Sequence, residues 1–182
     1  KTIEIGEDSA QLMLSVDSHV SQLEIFYKKN TDSVYQSLTV SDIIQGDNPI
    51  ALQNLSSNTS YDFEIQYKDN EGDVSYSRKY NFKTKTPELP VVLNATAENI
   101  ADTTASIKAS LSKEIQSAQI KYHVRGENVN KTIFTQSVSG AKTDGLTFNL
   151  ENLRSGQDYD AEITITDKFG VTSEIKSISF KT

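Results

Sequence analysis

Along much of the chain apolar residues recur at every second position. Tyr61, Phe63, Ile65 and Tyr67 alternate with Asp62, Glu64, Gln66 and Lys68, and further on Tyr159, Ala161, Ile163 and Ile165 alternate with Asp160, Glu162, Thr164 and Thr166. A period of two sends successive side chains to opposite faces, so each run predicts a strand with one face in a core and one in water. Ala10-Leu12-Leu14-Val16 and Ala105-Ile107-Ala109-Leu111 read the same way, as do Leu23-Ile25-Tyr27 and Ala118-Ile120-Tyr122. Helical spacing is not sustained anywhere. Asp69-Asn70-Glu71-Gly72-Asp73 and Asp167-Lys168-Phe169-Gly170 supply residues that tolerate positive φ, and each is expected to close a hairpin.

The runs come in pairs because the sequence is written twice. Displacing the chain by 98 positions brings Leu52 to Thr84 over Leu150 to Thr182 with 14 of 33 residues identical, among them Asn54/Asn152, Leu55/Leu153, Tyr61/Tyr159, Phe82/Phe180 and Thr84/Thr182. A period of this length is that of a whole small domain rather than a solenoid repeat. Two homologous domains in tandem are expected, 1–86 and 87–182. The connecting Lys83-Thr84-Lys85-Thr86-Pro87-Glu88-Leu89-Pro90 carries two prolines, which restrict the backbone and remove amide donors, so a stiff spacer is expected. Short strands in this number over about 90 residues make an all-β fold of two seven-stranded antiparallel β-sandwiches, each built from two facing sheets.

Composition narrows the function. The chain has 182 residues with net charge -7, no Cys, no Trp and two His, His19 and His123. Without Cys there are no disulfides, thiolate metal sites or cysteine nucleophile, and the two His are not at ligand spacing. The acidic balance opposes a phosphate backbone, so no nucleic-acid partner is expected. No run reaches the roughly 20 apolar residues of a spanning helix, and no signal-peptide pattern opens the chain, so no membrane insertion is expected. His19 is placed in a loop and His123 on a strand. No nucleophile, base and orienting group converge, so no catalytic residue, metal ligand or cofactor site is assigned and no enzyme is expected. The turn at Asp69–Asp73 is too short for a dedicated calcium loop and is taken as a plain hairpin. Asn54, Asn58, Asn94 and Asn130 open Asn-X-Ser/Thr triplets that chance alone accounts for, with Asn54 read as lying inside a strand.

The stretch Leu55-Ser56-Ser57-Asn58-Thr59-Ser60-Tyr61, followed by an alternating strand, a Gly-containing hairpin and Phe82-Lys83-Thr84, resembles the second half of a fibronectin type III domain. Leu153-Arg154-Ser155-Gly156-Gln157-Asp158-Tyr159 through Thr182 resembles it again. Ser57 and Ser155 stand where that family has Pro, and its Thr survives only as Thr59. The resemblance implies a tyrosine corner at Tyr61 and Tyr159, the phenol bonding back to nearby backbone. It also implies a buried Trp on the second strand, where this chain carries Leu14 and Ala109. Other bulk is expected to fill that space, and the first domain holds six of the eight Tyr, most of which are read as buried. Another immunoglobulin-like sandwich is the alternative subfamily.

Phe169, an apolar ring at a hairpin tip, is expected to pack on Leu89, Val91 or the base of the first domain, the alternative being a solitary exposed aromatic. Phe26 and Tyr76 are out of phase with their core neighbours and are weak candidates for ligand contact. The expectation for the whole is a non-catalytic module that spaces or presents neighbouring domains of a larger extracellular, cell-surface or virion protein. High Lys over Arg, with much Asn, Ile, Ser and Thr, suggests a bacterium or its phage. The second expectation is adhesion, by loops and edge strands, to a protein or glycan ligand.

Overall fold

The computed structural model describes residues 2–17, 19–68, 74–127, 134–141, 143 and 145–182. The chain divides into two compact units, Lys1–Pro87 and Glu88–Thr182. Among the described residues no helix is long and apolar enough to cross a membrane.

Unit 1 contains β1 (Thr2–Ile5), β2 (Ala10–Val16), β3 (Val20–Lys29), β4 (Gln36–Ile43), β5 (Gly46–Leu52), β6 (Ser60–Lys68), β7 (Val74–Tyr76) and β8 (Tyr80–Lys83). One sheet has the order β1-β2-β5, and the other β4-β3-β6-β7 with β8 continuing beside β6. Unit 2 contains β9 (Val92–Glu98), β10 (Ala105–Leu111), β11 (Ile115–Val124), β12 (Phe134–Ala141), β13 (Leu146–Leu150), β14 (Asp158–Thr166) and β15 (Lys176–Lys181). Its sheets run β13-β10-β9 and β12-β11-β14-β15. All pairings are antiparallel. Taking β7 and β8 as one interrupted last strand, both units have the three-plus-four strand order of a fibronectin type III sandwich.

The alternation found in the sequence is what lets two sheets share one core. In unit 1, Leu12 and Leu52 from one sheet meet Ile25, Phe63 and Phe82 from the other. In unit 2, Ile107 and Phe148 meet Ile120, Ile163 and Phe180. Removing each such side chain from water stabilises the fold by about 1.5–3 kcal/mol. Edge strands β4 and β12 each carry one residue in the left-handed region, Asp42 at φ 57° and Gly140 at φ 63°. Such irregularities twist an edge and make it a poor template for further pairing.

Alternation predicted the faces and overstated the burial in unit 1. Tyr61 and Phe63 are buried, Ile65 is half-buried, and Tyr67 is 42 % exposed. Two of the six Tyr of this unit, Tyr27 and Tyr80, pack partly buried against the core. Only Tyr61 among the six is buried, and Tyr76 is 61 % exposed. Asn54 does not lie in a strand. It follows β5 at φ 58°, and its repeat mate Asn152 has φ 58° as well. Asn tolerates this left-handed conformation better than most residues do, which gives the identity at this position a backbone reason.

The last strand breaks from β6 and β14 at a serine in each unit, at places two residues out of step. In unit 1 Ser77 Oγ accepts from the Ile65 amide at 2.9 Å, and in unit 2 Ser173 Oγ accepts from the Ile165 amide at 3.1 Å. The identity Ser75/Ser173 seen in the sequence is therefore not the functional pairing. A shift of two keeps every side chain on its face.

Candidate functional site

The polar residues written in both copies converge on the crossover that precedes β6 and β14. The Ser56 amide donates to the Tyr61 phenol oxygen at 2.8 Å, and the Arg154 amide to that of Tyr159 at 2.8 Å. Both rings are buried, stacked on Phe82 and Phe180 with centroids 5.5 and 5.3 Å apart. This is the tyrosine corner that the resemblance implied. Leu55 and Leu153, buried beside it, are held by amides that donate to Asp8 O at 2.8 Å and Thr103 O at 2.9 Å.

Sequence reasoning gave no role to the closing threonines. Thr84 Oγ1 accepts from the Thr59 amide at 2.9 Å and donates to Ser56 O at 2.7 Å, while its own amide donates to Thr59 O at 3.0 Å. Thr182 repeats the pattern, accepting from the Gln157 amide at 3.2 Å and donating to Arg154 O at 2.6 Å. The tyrosine and threonine thus hold the same crossover from both sides and fasten the end of the last strand to it. The turn between them needs a left-handed residue, supplied by Asn58 at φ 48° and by Gly156 at φ 70°.

Phe169 sits in the β14–β15 turn, half-buried, with Lys168 Nζ 4.9 Å from its ring centroid. The turn is built on Asp167, whose buried carboxylate accepts from the amides of Phe169 at 2.9 Å and Val171 at 3.0 Å. Lys113 Nζ reaches the other oxygen of Asp167 at 3.4 Å and Glu88 O at 2.8 Å. The turn is thereby tied to the segment leading into unit 2. Leu89 and Val91 are 47 % and 44 % exposed.

Phe26 and Tyr76 share one face. Phe26 pairs with Glu64 and Tyr76 with Gln66, two residues on along β6, so both side chains leave the outer surface of the four-stranded sheet. Gln66 Nε2 donates to the Tyr76 hydroxyl at 3.1 Å, and a shallow depression lies alongside, between Gln22, Glu24, Gln66 and Lys68. His19 lies between β2 and β3, and His123 lies on β11 with Nδ1 3.0 Å from Val124 O. Among the described residues no group of three or more His, Cys, Asp or Glu is placed to hold a metal ion. The turn at 69–73 and Asn130 lie outside the described residues.

In unit 2, Asp160 accepts from Arg125 Nη2 at 2.7 Å and Nε at 3.1 Å, and from Ser179 Oγ at 2.7 Å. The Arg125 hydrogen bonds, then that of Ser179, hold its carboxyl down at about 2. Arg154 adds an ion pair to Glu127. The Tyr122 phenol is pushed up, first by burial and then by the neighbouring Tyr159.

No protein-family model and no curated protein matches the chain. Among solved structures it is similar to a two fibronectin type III domain segment from chicken tenascin. There the identity is 17 %, the match covers 100 % of this chain and 97 % of that one, and the TM-score is 0.48. It is also similar to the FN1–FN3 domains of chicken CNTN1, at 13 % identity over 100 % of this chain and 66 % of that one, with a TM-score of 0.41. The fold rests on the sheet order and register given above rather than on these likenesses. That order, found in each unit, defines a tandem β-sandwich of fibronectin type III topology.

Proposed function

We propose that the chain is a non-catalytic spacer that presents neighbouring domains of a larger extracellular, cell-surface or virion protein. The observation that carries this reading is the duplicated fastening of the last strand. The threonines kept identical in both copies, Thr84 and Thr182, bond to the backbone of the crossovers, where a load passing along the chain leaves each sandwich. Pro87 and Pro90 follow Thr84 in the connecting segment, in keeping with a stiff joint. Pulling the chain by its ends tests this. Two separate unfolding events are expected, and Thr84→Val should lower the force of one of them only, since forced unfolding follows the unfolding rate. One merged event, or unchanged forces in the variant, would overturn it.

A second reading, adhesion to a protein or glycan, is favoured by the shared outward face of Phe26 and Tyr76 beside Gln22, Glu24 and Gln66. An exposed ring flanked by amides and carboxylates is the chemistry that stacks on and hydrogen-bonds a sugar. A glycan array probed with the chain and with Tyr76→Ser separates the two readings. A signal lost in the variant supports adhesion, and a blank array leaves the spacer.

A further inference from the structure

The two units close one end of their sandwiches differently. In unit 2, Leu111, Ile115, Leu146 and Ile165 are all buried at the end where β10 gives way to β11. Register identifies their counterparts in unit 1. Leu146 pairs with Ala109 as Asn48 pairs with Leu14, and Ile165 pairs with Ala118 as Tyr67 pairs with Leu23. Asn48 turns its amide into the β4–β5 turn, donating to Ile44 O at 2.8 Å and Gly46 O at 3.1 Å, and so places no apolar bulk between the sheets. Tyr67 is 42 % exposed, where Ile165 is fully buried.

The corresponding end of unit 1 holds a cleft of about 480 Å³. Its walls are Leu14, Val16, Val20, Leu23, Ile65 and Tyr67, and Asp17, His19 and Lys68 stand at its mouth. An apolar cleft of this size with a few polar groups at one side is the form that small-molecule sites take, and apolar space that protein side chains leave unfilled accepts apolar ligands readily.

We propose that this end of unit 1 binds one small, uncharged molecule with an aromatic or branched-aliphatic body, its polar end among His19, Asp17 and Lys68. The body is specified by what fills the same place in unit 2, the side chains of Leu and Ile. Neutrality follows from the rim, where the carboxylate of Asp17 and the ammonium of Lys68 balance. A spacer can carry such a site, so the function proposed above stands or falls separately.

The probe is N-phenyl-1-naphthylamine, uncharged and fluorescent in apolar surroundings, titrated into the whole chain. Saturation at one molecule per chain is expected. Leu14→Trp fills the cleft from its wall, and Asn48→Leu restores the residue that unit 2 uses. Each should weaken binding by about tenfold or more, with a melting temperature no lower than the parent's. Should Leu14→Trp fail to fold, Asn48→Leu decides alone. Absence of saturation, two molecules per chain, or affinity unchanged in the filled variants would overturn the proposal. So would tighter binding of 1-anilinonaphthalene-8-sulfonate than of the neutral probe.

Discussion

The backbone amide of Ser56 donates to the phenol oxygen of Tyr61 at 2.8 Å, five residues ahead in the chain. The bond closes a loop across the crossover and takes up an amide that no strand serves. Removing the hydroxyl while keeping the ring isolates it. Tyr61→Phe and Tyr159→Phe should each destabilise their own unit by about 1–3 kcal/mol, the cost of a partly buried donor left without an acceptor. Urea unfolding followed by two probes, one in each unit, checks this. Equal loss in both units from one substitution would show that the units do not unfold independently.

Thr84 and Thr182 make the same pair of bonds in different surroundings. Thr84 is 2 % exposed, whereas Thr182 is half-buried. Valine keeps the shape and deletes the hydroxyl, stranding the Thr59 amide and the Ser56 carbonyl in unit 1. Thr84→Val should therefore cost about 1–3 kcal/mol, and Thr182→Val less, because water reaches its former partners. Denaturant midpoints of the two variants decide it. A larger loss from Thr182→Val would mean that the bonds, not their burial, set the cost.

Asp167 organises the β14–β15 turn by accepting two backbone amides on one oxygen while Lys113 approaches the other. Asp167→Asn can keep the acceptor for the amides of Phe169 and Val171 and loses only the charge. Asp167→Ala loses both the charge and the acceptor. The alanine variant should be the less stable by about 1–2 kcal/mol, and amide exchange at Phe169 and Val171 should quicken in it alone. Equal exchange in both variants would assign the turn's rigidity to the ion pair.

How far the sequence disclosed all this depends on where each residue's partner lies. Tyr61 was legible because residue type and spacing carry the geometry, the acceptor meeting an amide only five residues away. Thr84 was visible as an identity and silent as to role, since its partners Ser56 and Thr59 lie 28 and 25 residues off and offer only backbone. The period of two placed Tyr67 on the inner face correctly. It could not show how much of the ring the other sheet would cover, and 42 % of Tyr67 stays exposed. Ser77 escaped notice for the opposite reason. A gapless repeat matched Ser75 with Ser173, and the break in the last strand had moved by two residues. Phe26 and Tyr76 were read as out of phase with their core neighbours. Only pairing through β6 showed that they share a face.

Asp160 should give unit 2 an acid-sensitive contribution to its stability. The Arg125 and Ser179 hydrogen bonds hold its carboxyl at about 2 in the folded chain, against about 3.9 for an unfolded aspartate. A folded value below the unfolded one means that the unfolded state takes up its proton first as pH falls. The stabilisation is complete above about pH 4 and is lost as pH drops toward 2. In unit 1 the repeat mate is Asp62, and Asn30 stands where Arg125 does. Both stand in the turn directly after a strand, and both donate their amide to the start of β6 or β14, Asn30 to Ser60 O and Arg125 to Asp158 O. Arg125→Gln should raise the titration midpoint of the Asp160 carboxyl, followed by its ¹³C shift. The same substitution should lower the urea midpoint of unit 2 at neutral pH and leave it unchanged near pH 2, where the carboxylate is being protonated in either chain. Asn30→Arg, placed against Asp62, should create in unit 1 the acid-sensitive increment that Arg125 gives unit 2. An Arg125→Gln deficit of the same size at both pH values would trace the effect to packing of the arginine stem rather than to its charge.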